Sequence, residues 1–169
     1  MLNILHDKIN EICPISCLYD GGNGNFRIDY IAQPNPQQLS QINNLLVFWP
    51  LEKAKMEKIK ELDEYWKSVL DQGWTSPYGW KLGLNNQDVT LLTGAFILLK
   101  EAASMGLSNT TTIIDTDSVP HELNLTDMTS LMLAYGQHRS QLSQQYSTKK
   151  QTIESAASLS ELNNFSVYD

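Results

Sequence analysis

The feature that most constrains this chain is a proline-free run from Thr126 to Ala157, which reads as one long helix. Met128, Leu131/Met132, Tyr135, His138/Arg139, Leu142, Tyr146, Lys149, Ile153 and Ala156/Ala157 recur at three- and four-residue steps, as on one side of a helix. Thr126 offers an N-cap hydroxyl ahead of Asp127, whose charge suits the positive end of a helix. Gly136 could kink the run, yet one interior glycine costs only ~1 kcal/mol. About 32 residues at about 1.5 Å each give a rod of roughly 48 Å, longer than a small domain is wide. Its first half, with Leu131, Met132, Leu133 and Tyr135, is apolar enough to face a core. Its second half is mostly Gln, Ser, Thr and Lys, with Leu142, Tyr146 and Ile153 as a narrow seam. Such a seam predicts a helix that lies against another polypeptide, the alternative being a helix along its own domain surface with a frayed, solvated end. Tyr135, His138, Leu142, Tyr146 and Ile153 are therefore the expected partner interface.

Upstream, the chain reads as an α+β protein in three sections: an N-terminal hairpin–helix module at 1–50, a connecting helix at 51–73 and a C-terminal module at 74–169. Leu2, Leu5, Ile9 and Ile12 predict an amphipathic helix ending at Cys13-Pro14. Ile15 to Leu18 and the alternating Phe26, Ile28 and Tyr30 predict two strands around the turn Tyr19 to Asn25. Asn35-Pro36 supplies a cap and a first helical position, and Pro50 is expected to end that helix. The connecting helix from Leu51 to Gln72 carries Met56, Ile59, Leu62, Trp66 and Leu70 on one side, and Gly73 stops it. Then follow a short strand at 80–84, a helix capped at Asn85 to Asp88, and paired strands at 110–115 and 122–125.

Composition narrows function by exclusion. The formal net charge is −7, whereas a nucleic-acid partner requires a basic face. Eleven of the 31 charged residues lie between Glu52 and Asp71 with alternating sign, which is a solvated helix face. No apolar run reaches membrane-spanning length and no secretory leader follows Met1, so folding in a cytoplasm is expected. Cys13 and Cys17, four residues apart around Pro14, are expected to be reduced and buried.

The residue types offer little chemistry. Gly24 and its neighbours lack the lysine and Ser/Thr of a phosphate-binding loop. Asp115, Asp117 and Glu122 lack the order of a calcium loop, and a turn bonded to its own Asp and Ser side chains explains them better. His6, His121 and His138 are scattered with no expected carboxylate neighbour, and Ser140, Ser143 and Ser147 sit on a polar helix face. We therefore expect neither an enzyme nor a bound metal or cofactor. The aromatic group Tyr65, Trp66, Trp74, Tyr78 and Trp80 is read first as core, then as interface, then as a glycan platform.

Several segments carry a resemblance. Gly79-Trp80-Lys81, the helix of Gln87 to Met105, Ile113-Ile114-Asp115-Thr116-Asp117 returning through His121-Glu122-Leu123-Asn124-Leu125-Thr126, and the long helix ending Ile153-Glu154-Ser155-Ala156-Ala157 together resemble an uncharacterised phage domain. That domain forms the C-terminal part of tail-fibre-assembly-type proteins. The N-terminal hairpin and its Pro-x-Pro-x-x-Leu helix are similar to short phage tail proteins of the XkdW type. Family members often have alanine-rich helices, whereas this one is rich in Ser and Gln. The resemblance implies a virion tail protein, assembled in the host cytoplasm, that binds a tail-fibre or baseplate protein as connector or assembly factor. It also implies trimeric assembly. The alternatives are a transient fibre chaperone absent from the particle, or a small glycan-binding accessory module.

Overall fold

The structure, a computed structural model, describes residues 1–22, 25–107 and 109–168. Asn23 and Gly24, inside the expected glycine-rich turn, lie outside the described residues. The fold is α+β, with helices predominating over three two-stranded antiparallel pieces. By packing, the chain forms two units: Met1–Glu61 with Thr152–Val167, and Leu62–Gln151 with Tyr168. Both boundaries fall inside helices, which differs from the expected division at 50 and 73.

In the first unit, helix α1 (Leu2–Ile12) buries Leu5 and Ile9 on one side. Strands β1 (Ile15–Asp20) and β2 (Phe26–Tyr30) pair antiparallel, Leu18 against Ile28 and Asp20 against Phe26. A bulge between Ile15 and Cys17 turns the strand, so that Ile15 and Leu18 both face inward although three residues apart. It also corrects one expectation: both cysteines are free, Cys13 is buried, but Cys17 points to solvent. Leu5, Ile9, Cys13, Ile15, Leu18, Ile42 and Trp49 form the core of this unit.

Helix α2 (Pro36–Gln72) is the main departure. Its start is as expected: Asn35 Oδ1 accepts from Gln38 N and Gln38 Oε1 accepts from Asn35 N, both at 2.9 Å. It does not end at Pro50, and no separate connecting helix begins there; one helix of 37 residues runs through. Proline removes the hydrogen bond to the carbonyl of Leu46 and crowds it. Packing on both sides outweighs that loss: Ile42, Trp49 and Met56, at seven-residue spacing, all meet the same core. The apolar face is in phase across the proline, so tertiary burial holds the helix together where local propensity would break it.

In the second unit α2 ends at Gly73, whose φ of +70° closes the helix. Strand β3 (Trp74–Thr75) then pairs with β4 (Lys81–Leu82). β3 was not expected, and β4 is shorter than the strand expected at 80–84. Helix α3 (Asn86–Ser104) opens on a reciprocal cap between Asn85 and Asp88. Gly106, at φ +71°, ends it, with Leu107 N–H donating to Ala102 O and Gly106 N–H to Ala103 O. Strands β5 (Thr110–Ile114) and β6 (Pro120–Asn124) pair antiparallel, Thr112 against Glu122.

Helix α4 (Leu125–Ser155) follows directly. Its cap is Asn124, not Thr126: Asn124 Oδ1 accepts from Asp127 N at 2.9 Å, and Asn124 Nδ2 donates to Asp127 Oδ2 at 2.8 Å. The Asn124 amide thus accepts from the backbone and donates to the Asp127 carboxylate at once. Leu82, Leu84, Leu92, Leu99, Ile113, Leu123, Met128, Leu131 and Tyr135 form the core of this unit. Leu133, one residue off that face, is exposed. The short helix α5 (Leu159–Asn164), in the first unit, is capped by Ser158.

Candidate functional site

The expected partner seam of α4 is used inside the fold. Tyr135 is 2% exposed, and its hydroxyl donates to Gly83 O at 2.7 Å. His138 stacks on Trp74 with 5.8 Å between centroids, and burial holds its imidazole below the usual range. Leu142 packs against the core of the second unit. Tyr146 donates to Asp63 Oδ1 at 2.6 Å and lies 5.4 Å from the Trp66 ring. Ile153, in the first unit, is 0% exposed. At Tyr135 and Ile153 the expectation of an uncovered seam is corrected, while His138, Leu142 and Tyr146 are half-buried. In the second unit the C-terminal part of α2 supplies Asp63 and Trp66 to α4, a role that the sequence reading gave to another polypeptide.

The five aromatic residues do not form one cluster. Tyr65 meets Tyr168 edge-on at 5.2 Å, and Trp66 meets Tyr146. Trp74 lies between Tyr135 and His138. Tyr78 stacks on Trp80 at 6.0 Å, and Trp80 stacks on His121 at 4.3 Å. Most partners come from α4 or β6, so the aromatic residues fix elements to one another in pairs.

The β5–β6 turn is self-bonded, as its residue types predict. Asp115 Oδ1 accepts from Asp117 N at 2.9 Å and from Val119 N at 2.8 Å. His121 Nε2 donates to Asp115 Oδ2 at 2.8 Å, which corrects the reading of His121 as lacking a carboxylate neighbour. His121 stands opposite Ile113 in the ladder, so its side chain reaches Asp115 diagonally across the hairpin. Among the described residues no three His, Cys, Asp or Glu side chains gather to hold a metal ion.

The His121 bond, followed by those from the two backbone amides, holds the Asp115 carboxyl below the usual carboxylate range. A carboxyl whose pKa is lower folded than unfolded stabilises the fold above its unfolded value, about 3.9. That contribution is lost as pH falls through the depressed folded value. Melting temperature should therefore fall more steeply on acidification below about pH 4 for the native protein than for Asp115→Asn. Parallel melting curves across that range would refute the linkage.

Exposed apolar residues occur in both units, among them Ile31, Val47 and Phe48 in the first and a larger group on and after α3 in the second. Sequence periodicity assigns Val89, Leu92, Ala95/Phe96, Leu99 and Ala103 to the buried side of α3, and Leu92 and Leu99 are indeed buried. Leu91, Ile97, Leu98 and Met105 fall outside that stripe and are exposed, Leu98 by 72%. Leu107 and Ile114 add to the exposed apolar surface of this unit. Gly94 has open space around its missing Cβ. The signal was present in the sequence: α3 carries more apolar residues than one buried stripe can use.

A crevice of about 330 Å³ separates α3 from β5, floored by Leu82, Leu92, Ala95 and Ile113. Asp88 and Asp115 stand among its lining residues. No helix among the described residues is long and apolar enough to cross a membrane. No protein-family model, curated protein or solved structure matches this chain.

Proposed function

We propose that this protein is a bacteriophage tail component that acts by binding a tail-fibre or baseplate protein, as a connector or as a fibre assembly factor. One observation carries the binding role: the exposed apolar side of α3, with Leu91, Ile97, Leu98 and Met105. Fully burying one such side chain stabilises a complex by about 1.5–3 kcal/mol, so a few suffice for a specific contact. The tail setting rests on the resemblance of the hairpin, its Leu-Thr exit and the long helix to tail-fibre-assembly-type proteins. The net charge of −7 favours a protein partner over nucleic acid. The aromatic pairs, packed within their unit, lend little to a glycan reading.

The test is co-expression with a fibre or baseplate protein of the same phage. Fibre yield and trimerisation should rise with this protein present. Leu98→Glu should weaken binding by about tenfold or more, a loss of about 1.4 kcal/mol, with melting temperature nearly unchanged because the side chain is already in water. Unchanged fibre solubility and trimerisation, with no complex formed, would refute the proposal. The composition of purified particles separates the two roles: stoichiometric presence marks a connector, and absence marks a chaperone.

A further inference from the structure

We infer that the outer edge of β5 is a docking site for an extended segment of the partner polypeptide. That segment adds a third strand to the hairpin and places alternate side chains in the crevice beside α3. This rests on the reading of the protein as a binder of another polypeptide, and not on the partner being a tail protein.

The direction of the backbone groups follows from the ladder. Asp115 N–H donates to Val119 O at 3.0 Å, so Asp115 and Val119 form a bonded pair. Bonded and non-bonded pairs alternate in an antiparallel ladder. In the observed register Ile113–His121 and Thr111–Leu123 are then the bonded pairs. The N–H and C=O groups of Thr112 and Ile114 must point the other way. Thr116, next in the same phase, confirms the direction: its N–H donates to Lys81 O at 3.0 Å, on the side away from β6. Beyond that bond, Leu82 and Gly83 of the β4 segment and Thr112 and Ile114 of β5 line the crevice together.

The two edges of the hairpin are built differently. On β6 the outward positions include Pro120, which has no N–H, and Glu122, which carries charge. Both are devices that discourage pairing. β5 reads Thr-Thr-Thr-Ile-Ile, five uncharged β-branched residues with neither device. An edge left open beside an apolar crevice suits strand addition, in which backbone bonds supply affinity and alternate pockets supply selectivity.

Charge selects the occupant. Asp88 and Asp115 line the crevice, and among its described lining residues there is no lysine or arginine. At the alternate positions that enter the crevice, the complementary segment carries branched apolar residues together with Lys or Arg facing the two carboxylates. A second copy of this chain would bring its own Asp88 and Asp115 to the same place.

The test uses the intact protein and a displayed library of random dodecapeptides. Enriched peptides should carry branched apolar and basic residues two positions apart, on one face of the strand. Added to the labelled protein, they should slow amide exchange at Thr112 and Ile114 by about tenfold or more. N-methylation of every second peptide amide, in the phase that faces β5, should weaken binding by about tenfold, and in the other phase should not. Absence of enrichment, enriched peptides that leave Thr112 and Ile114 exchange unchanged, or dimerisation that protects those amides without peptide would each overturn edge docking. A fibre protein that binds while these amides stay unprotected leaves the function standing and removes the edge. Peptides that protect β5, with no tail protein binding, do the reverse.

Discussion

Ile153→Ala is expected to lower folding stability by about 2–5 kcal/mol. The side chain is 0% exposed, so truncation removes its transfer energy and leaves a cavity that its surroundings only partly fill. Ala156, Leu162 and Val167, which follow in the same unit, are buried as well. The end of α4 is tied down nearby, where Lys55 Nζ donates to Glu154 O at 2.9 Å. The neighbour Gln151 is exposed, and alanine there should change stability by less than about 0.5 kcal/mol. Urea denaturation reads the difference as a shift in midpoint at constant slope. If Ile153 instead waited in solvent for a partner, its alanine variant would fold as well as the native protein and lose only binding. A loss below about 1 kcal/mol would contradict inward packing.

That experiment also marks where sequence reading stopped. Local signals were legible: Asn35-Pro36, Asn85 with Asp88, the Gly106 helix end and the two larger hairpins all depend on residues within a few positions of one another. The caps of α2 and α3 and the β5–β6 turn form as the sequence predicts because their chemistry is local, whereas at α4 the cap is Asn124 and not Thr126. Periodicity also placed the buried sides of α1 and α3. Contacts across long stretches were not legible. Tyr146 bonds Asp63, 83 residues away, and Tyr135 bonds Gly83, 52 residues away. A narrow apolar seam looks the same whether its cover comes from another chain or from an earlier helix of this one. Pro50 misled for a related reason, because propensity is a local quantity while the phase of Ile42, Trp49 and Met56 across it is not. The exposed stripe of α3 could have been found by asking which apolar residues the assigned core side left over. Leu91, Ile97 and Leu98 were those residues.

Gly73→Ala should cost about 2–4 kcal/mol, even though one methyl group is a small change. Two terms combine. The residue sits at φ +70°, where a Cβ costs about 1–2 kcal/mol. That Cβ would also stand 2.7 Å from Leu82 O, closer than real side chains approach a carbonyl. The obstacle is backbone, and it is held: Trp74, the next residue, pairs with Leu82 in the β3–β4 ladder. Relief requires moving β4, which would draw Gly83 O away from the Tyr135 hydroxyl and disturb the floor of the crevice. Gly136→Ala provides the contrast. Gly136 lies inside α4 with nothing within 4 Å of its missing Cβ, so alanine there should stabilise by up to about 1 kcal/mol. The same substitution at two glycines is thus expected to move the urea midpoint in opposite directions. A Gly73→Ala protein as stable as the native one would mean that the exit from α2 is not held in the left-handed conformation.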